Sequence, residues 1–256
     1  MSEYIIVWDL ETVPDLEAVA RCLDLPAGDA DAAKDHLGEN FAKHLWHKIV
    51  CIGALVASRR DGIWRVDAVG APHIGQRDEA ALIQSFVDRI AALRPTLVTF
   101  NGNGFDLPVL RYRAMLHRIN AHGLSARPYF NRYSIDAVDL CDVLGSFGSG
   151  GKATLHEICR TLGLEGKPGG IDGSKVSEFV EKGLIDEVAA YCESDVINTY
   201  RLWLIHELFC GRLSRDAHQA SEDALLEKLG EKLRAREGRQ AQVTGEAGTV
   251  VVSTPS

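Results

Sequence analysis

The stretch YIIVWDLET, residues 4–12, decides the fold class of this chain of 256 residues. Its first five residues are apolar, and a short apolar run of this kind is typical of a buried strand. Asp9 and Glu11 follow at the end of the run, and residues two apart on a strand point to the same side. Two neighbouring carboxylates repel each other unless a cation lies between them. The stretch therefore predicts a buried strand that ends in a cation site, or else a solvated strand end that leads into a turn.

The rest of the chain alternates between strand patterns and amphipathic helix patterns. Further strands are predicted at residues 49–58, 63–70, 96–100 and 134–138, with a hairpin turn at Asp61-Gly62. Helices are predicted at residues 78–93, 106–119, 154–162, 174–182, 185–208 and 221–236. Residues 16–47 suggest an irregular helical segment. This order of elements favours an α/β fold, in which helices flank a mixed sheet.

The chain divides into one large unit and a C-terminal extension. We assign residues 1–212 to the main domain and residues 213–236 to a C-terminal helix. Residues 237–256 are polar and contain glycine, so we expect a disordered tail there, although residues 250–252 also suit a short strand.

The composition limits the functions and locations that suit the chain. Its formal net charge of −8 argues against a protein that coats nucleic acid through many lysine and arginine contacts. An enzyme that holds a few nucleotides is still compatible, because metal ions supply positive charge at a carboxylate-rich site. The six cysteines form no C-x-x-C pair, residues 1–7 carry no basic leader, and no apolar stretch is long enough to span a membrane. We therefore expect a cytoplasmic protein with reduced cysteines and no membrane contact.

Two further segments place acids on elements that can converge on the first strand. FNGNGFDLPVL, residues 100–110, follows a predicted strand and puts Asp106 at the start of a helix. YCESDVINTY, residues 191–200, puts Tyr191 and Asp195 four residues apart on one helix face. Taken singly, the first segment suits a simple helix start, and the second suits an ordinary amphipathic helix anchored by a tyrosine.

Taken together, the three segments resemble the three motifs of the DEDD exonucleases, in the branch that carries a tyrosine. They are similar to the proofreading exonuclease domain of family B DNA polymerases and to stand-alone bacterial relatives of that domain. The motifs occur in the family's order, and the resemblance covers roughly residues 4 to 210. It implies a ribonuclease H-like fold with a five-stranded mixed sheet, in which one strand is antiparallel to the others.

The resemblance also implies a catalytic metal site. Asp9, Glu11 and Asp195 would bind one ion, and Asp9 would bridge to a second ion that Asp106 supports through water. Such oxygen ligands suit Mg²⁺ or Mn²⁺, with two ions per site. Tyr191 would hold the attacking water by its hydroxyl, since a tyrosine stays protonated at neutral pH.

The tyrosine branch is indicated by one position. The sister branch carries a histidine five residues before the last aspartate, and this chain has Ala190 there. By the same resemblance, Asn101 and Phe105 would contact the terminal nucleotide.

Other residues are candidates for substrate binding. No acid occurs between Asp106 and Asp136, and this interval carries five arginines, including Arg111, interleaved with aromatic residues. That pattern suits single-stranded nucleic acid and equally suits a solvated helix face with core aromatics. Lys175 would reach a substrate phosphate, although a loop in which Ser174 caps a helix explains the segment as well. We interpret the glycine-rich residues 145–151 as a loop bordering the substrate cleft, because they lack the Walker A pattern.

We therefore predict a metal-dependent 3′-5′ exonuclease that hydrolyses phosphodiester bonds at the 3′ ends of single-stranded nucleic acid and releases nucleoside 5′-monophosphates. The resemblance to a proofreading domain favours DNA over RNA. An exoribonuclease with the same site and a catalytically silent nucleic-acid-binding module are the alternatives. The sequence indicates no oligomeric state.

Overall fold

A computed structural model describes residues 3–26, 28–38, 41–166 and 173–246. The strands are β1 (Glu3–Pro14), β2 (His47–Arg60), β3 (Ile63–Gly70), β4 (Thr96–Thr99) and β5 (Ala137–Asp139). The helices are α1 (Leu16–Cys22), α2 (Ala30–Leu37), α3 (Glu79–Leu93), α4 (Asp106–Leu116), α5 (Leu140–Leu144), α6 (Leu155–Thr161), α7 (Val176–Glu181), α8 (Ile185–Phe209) and α9 (Arg215–Glu246).

The strands form one sheet in the order β3-β2-β1-β4-β5. β1 pairs antiparallel with β2 and parallel with β4, while β2–β3 is antiparallel and β4–β5 is parallel. β2 therefore runs opposite to the other four strands. The predicted five-stranded mixed sheet flanked by helices, with one antiparallel strand, is confirmed.

β1 lies in the middle of the sheet and is covered on both faces, which explains its continuous apolar run. Ile6 and Trp8 belong to the core that packs under α3 and α4. Ile5 and Val7 belong to the core that packs under α8 and α9. Since side chains alternate along a strand, Asp9 and Glu11 continue the row of Ile5 and Val7, on the α8 side.

Several boundaries differ from those predicted. The irregular segment at residues 16–47 contains α1, α2 and a 3₁₀ turn at His44–Trp46, followed directly by β2. The fifth strand is three residues long and begins at Ala137 rather than near residue 134. α7 begins at Val176, two residues later than predicted, with Lys175 as its N-cap residue. Residues 167–172 and 247–256 lie outside the described residues, and so does the suggested strand at 250–252.

The C-terminal helix α9 is longer at both ends than the helix predicted at residues 221–236. The Ser214 hydroxyl accepts a hydrogen bond from the Ala217 amide at 3.1 Å and starts α9 six residues early. The Ser221 hydroxyl accepts one from the Trp64 amide at 3.0 Å, which attaches the helix to β3. The helix extends to Glu246. The disordered tail stays a prediction. The division into domains stays a prediction. Across the described ranges, no helix is both long and apolar enough to cross a membrane.

α8 approaches the sheet closely because β2 has no side chain at Gly53, which pairs with Asp9. A Cβ atom at Gly53 would lie 2.7 Å from Cys192 Sγ and 2.9 Å from Val196 Cγ2. Both distances are shorter than any normal contact. The glycine therefore sets the separation between β2 and the helix that carries Tyr191 and Asp195.

Gly53→Ala tests this close approach. We expect the free energy of unfolding to fall by about 1–3 kcal/mol, because a methyl group has no room between β2 and α8. Urea denaturation followed by circular dichroism measures the change. Gly70→Ala on β3 is the matched control, since nothing lies within 4 Å of a Cβ there. Equal stability of the two variants would contradict the packing argument.

A buried ion-pair network fixes α4 against the rest of the domain. Arg113 Nη1 lies 2.5 Å from Asp15 Oδ2, and its Nε lies 2.7 Å from Glu79 Oε1. The same Glu79 oxygen accepts a hydrogen bond from the Ile49 amide at 2.7 Å. Asp15 caps α1, and Glu79 lies in the first turn of α3. One arginine thus ties α4 to the first turns of α1 and α3 and, through Glu79, to β2.

Arg113→Met should be strongly destabilising, because it removes the guanidinium that pairs with the buried carboxylates of Asp15 and Glu79. The expected decrease in the free energy of unfolding is about 3–5 kcal/mol. Arg111→Met is the control on the same helix, since Arg111 is exposed and should change stability by less than about 0.5 kcal/mol. Urea denaturation at pH 7 compares the two, and similar decreases would refute a special role for the network.

Candidate active site

Asp106 is held directly against the acidic end of β1. Its Oδ1 accepts a hydrogen bond from the Leu10 amide at 3.1 Å. That amide is available because the pairing of β1 with β4 ends at Val7 and Val98. Leu10 lies between Asp9 and Glu11, so three of the predicted metal-binding residues meet where β4 leaves β1 unpaired.

Asp139 at the end of β5 shapes the loop that leads to Asp106. Its carboxylate accepts hydrogen bonds from the Asn101 amide at 2.7 Å and from the Asn103 amide at 2.9 Å. Asn101 has a φ of 69°, and a Cβ at Gly102 would lie 2.5 Å from Thr99 Cβ. This tight loop needs the buried carboxylate to satisfy its amides. The sequence does not predict this role of Asp139. Its one signal in the sequence is that it is an acid at the end of a strand.

α8 brings Tyr191 and Asp195 to the same place. Burial, followed by the charges of Asp195, Glu11 and Asp9, raises the pKa of Tyr191 well above its ordinary value. The Tyr191 hydroxyl also forms a side-chain hydrogen bond with Asp195. Tyr191 is therefore a neutral O–H group surrounded by three carboxylates, and it can donate a hydrogen bond or orient a water.

Asp106 lies in an environment that opposes its charge. Burial raises the pKa of Asp106 to about 7, even though the Leu10 amide acts to lower it, and Asp139 raises it further. Asp106 is only 4% exposed. Without a cation, this carboxyl group is about half protonated near neutral pH, whereas a bound divalent ion would favour its ionised form.

Two of the four predicted metal-binding acids, Asp9 and Glu11, lie close enough together to share a cation. Asp9, Glu11 and Cys192 offer ligand atoms that lie within 4.8 Å of one another. The neighbouring Cys51 thiol, burial, and the charges of Asp9 and Glu11 raise the pKa of Cys192, so its thiol stays protonated and is a weak ligand. The effective donors are carboxylate oxygens, which are the ligands that Mg²⁺ and Mn²⁺ prefer.

A cleft of about 970 Å³ opens beside these carboxylates and is lined by Glu11, Asn101 and Phe105. The Phe105 ring lies 4.9 Å from the His47 ring and 5.7 Å from the His44 ring, measured between centroids. The cleft is thus an aromatic slot next to acidic residues, and its size suits a nucleobase and sugar. The sequence suggests only packing or surface roles for both histidines, so their position in the slot is visible only in the folded chain.

The other predicted substrate-binding residues lie outside this cleft. Lys175 is exposed and directly follows Gly173 and Ser174, which line the rim. Arg111 lines a different, adjoining cavity.

The arginine and aromatic interval after Asp106 has a mixed character. Arg113 is buried in its ion pairs, Arg127 is paired with Asp136, and Tyr129 is buried with its hydroxyl bonded to Pro95 O at 2.6 Å. These three residues have structural roles. They therefore agree with the alternative interpretation of the interval as a helix face with core aromatics.

The fold can be compared with solved structures. The family B DNA polymerase of the archaeon Pyrobaculum calidifontis matches with a TM-score of 0.52 and 19% identity, over 81% of this chain and 24% of the polymerase. E. coli exonuclease I in complex with a dT13 oligonucleotide matches with a TM-score of 0.36 and 14% identity, over 81% of this chain and 43% of that chain. The chain thus spans about a quarter of the polymerase and less than half of exonuclease I. The polymerase match supports the ribonuclease H-like fold.

A family model described as a predicted 3′-5′ exonuclease related to the exonuclease domain of PolB matches residues 39–242. This chain belongs to that family. Asp106, Tyr191 and Asp195 lie inside the matched segment, whereas Asp9 and Glu11 precede it, so their place at the site rests on the geometry described above. A search of curated protein sequences finds no significant match.

The raised pKa of Asp106 predicts a pH dependence of the metal-free protein. Between pH 4 and about 7 the folded state keeps a proton that the unfolded state releases. Stability should therefore fall as pH rises through this window, by at most about 1.4 kcal/mol per pH unit. Asp106→Asn removes this decline, so its advantage over the wild type should grow from pH 5 to pH 8 in urea denaturation with EDTA.

Asp142→Asn is a control of opposite sign, because Arg132 holds the pKa of Asp142 below its ordinary value. It should be less stable than the wild type at pH 8 and approach it in acid. Parallel pH profiles for Asp106→Asn and the wild type would show that Asp106 is not strained by burial.

Proposed function

We propose that this chain hydrolyses phosphodiester bonds at the 3′ end of single-stranded nucleic acid, with DNA preferred, and releases nucleoside 5′-monophosphates. The observation that supports the proposal is that Tyr191 lies near Asp9, Glu11 and Asp195, beside an aromatic slot. Asp106 contacts the residue between Asp9 and Glu11. Water attacks the phosphorus that joins the 3′-terminal nucleotide to the strand. The bond from this phosphorus to the 3′ oxygen of the preceding nucleotide breaks. That oxygen takes up a proton, and the strand is left one nucleotide shorter.

In this proposal Asp9, Glu11, Asp106 and Asp195 bind two Mg²⁺ or Mn²⁺ ions. When bound, the ions lower the pKa of water and stabilise the leaving oxygen. The mutual proximity of these acids supports the assignment, because Asp106 contacts the residue between Asp9 and Glu11. The cost of burying several like charges is offset most simply by a cation.

Tyr191 orients the attacking water through its hydroxyl. Its strongly raised pKa supports a hydrogen-bonding role and argues against a general base, because a tyrosinate is inaccessible beside three carboxylates. Together with Ala190 at the position of the alternative histidine, this supports the tyrosine branch of DEDD exonucleases.

Phe105 and Asn101 hold the terminal nucleotide in this proposal. Phe105 offers a ring face or edge inside the slot, braced by His44 and His47, and Asn101 also lines the slot. Lys175 follows the rim residues Gly173 and Ser174 and contributes a positive charge near the entrance. We also propose a cytoplasmic location, which the six free cysteines support.

An end-labelled strand tests the proposal. Purified protein with Mg²⁺ or Mn²⁺ should shorten 5′-labelled dT oligomers stepwise from the 3′ end, and EDTA should stop it. Asp9→Asn and Asp195→Asn should each slow the reaction roughly 10³-fold, since electrostatic stabilisation at the phosphate is removed. Tyr191→Phe should slow it about 100-fold, because the water is no longer oriented.

Matched controls are Asp31→Asn on α2 and Tyr4→Phe at the start of β1. Neither residue lines the cleft, so both variants should keep full rates. Oligomers of dT and rU run in parallel separate a deoxyribonuclease from an exoribonuclease. Absence of shortening on both would sink the enzyme and favour a silent binding module.

A further inference from the structure

A second cavity, of about 370 Å³, adjoins the cleft and shares Asn101 and Gly104 with it. We call it the basic cavity, because its lining includes Arg111, Arg132 and Lys152. The formal net charge of the protein is −8, so a cluster of cations at this one place needs an explanation of its own.

The cations of the basic cavity are not all neutralised. Asp142 is the acid in its lining, and Arg132 holds that carboxylate with two hydrogen bonds of 2.7 and 2.6 Å. Within the described ranges, Arg111 and Lys152 have no carboxylate at ion-pair distance. The lining therefore carries three cations and one carboxylate, which leaves an excess of positive charge facing the cavity.

Neighbouring groups prepare these cations for an anion. The Arg111 guanidinium lies 4.5 Å from the centre of the Phe130 ring, which holds it in place by a cation–π contact. The Asn103 side-chain amide, also in the lining, has a buried nitrogen with no hydrogen-bond partner among the described residues. Two free cations, a spare amide donor and an aromatic ring are together the components of a site for a phosphate and its nucleoside.

We propose that the basic cavity binds a phosphodiester of the same strand, on the 5′ side of the nucleotide that occupies the cleft. This inference rests on the proposed function and adds the path of the strand. When the 3′-terminal nucleotide lies in the slot beside Glu11, the chain that precedes it has to leave past the residues 101–104 loop. Since Asn101 and Gly104 line both spaces, this route leads directly to Arg111 and Lys152.

The experiment compares Arg111→Ala/Lys152→Ala with the wild type on two substrates. The p-nitrophenyl ester of thymidine 5′-monophosphate reaches only the slot and the carboxylates, whereas a dT12 strand reaches the basic cavity as well. We expect an unchanged rate on the ester and a KM about tenfold higher on dT12. The log–log salt slope of dT12 binding should also become shallower by about 0.7 for each phosphate that the variant no longer binds.

Arg65→Ala/Arg89→Ala is the matched control, because it removes the same charge from two exposed arginines on β3 and α3. Fluorescence anisotropy of labelled dT12 in EDTA adds a binding measurement that needs no catalysis. If the Arg111/Lys152 variant and the control bind dT12 equally well, the basic cavity is not a strand site.

The outcomes keep the two proposals apart. A wild type that cleaves neither substrate, together with a tenfold weaker dT12 Kd for the Arg111/Lys152 variant, would overturn the exonuclease and retain the strand site. Cleavage of both substrates with no effect of the variant would do the reverse. A wild type that neither binds dT12 in EDTA nor cleaves either substrate with metal would overturn both.

Discussion

The structure depends on the close contact between β2 and α8 at Gly53. A side chain there would meet Cys192 and Val196 at less than 3 Å, so the helix could not rest on the strand. Because Gly53 pairs with Asp9, this contact lies directly behind the acidic end of β1. It fixes the distance from the Asp9 and Glu11 side of the sheet to Tyr191 and Asp195, and hence the size of the carboxylate site.

Placing several acids together costs stability, and other parts of the fold compensate. The Asp106 carboxylate replaces a missing strand partner of Leu10, and Asp139 takes up the amides of the loop before it. Arg113 then locks the helix that Asp106 begins to α1 and α3. The buried carboxylate of Asp106 is thus held in an unfavourable environment by supporting residues that are themselves fixed by hydrogen bonds and ion pairs. Pre-organised electrostatic sites need this arrangement.

Charge is distributed unevenly over the surface around the site. The cleft carries acids and an aromatic slot, and the adjoining basic cavity carries more cations than acids. The basic cavity attracts a phosphate-rich ligand, whereas the acidic cleft on the other side of the residues 101–104 loop attracts it only when a cation is bound there. This division allows a protein with net charge −8 to hold an anionic strand at one place without coating nucleic acid in general.

Apolar periodicity in the sequence predicted a mixed α/β sheet and the main helices, because such periodicity is a local property. The resemblance of three motifs to the DEDD exonucleases singled out the five candidate residues Asp9, Glu11, Asp106, Tyr191 and Asp195. The sequence did not determine that Arg113 is buried while Arg111 is exposed, since both are arginines in one helix and the partners of Arg113, Asp15 and Glu79, are distant in the chain. Nor did it reveal Gly53, Asp139 or the slot formed by His44 and His47. Those features exist only once separate strands and helices pack together, because steric fit and burial are set by contacts between residues far apart in sequence.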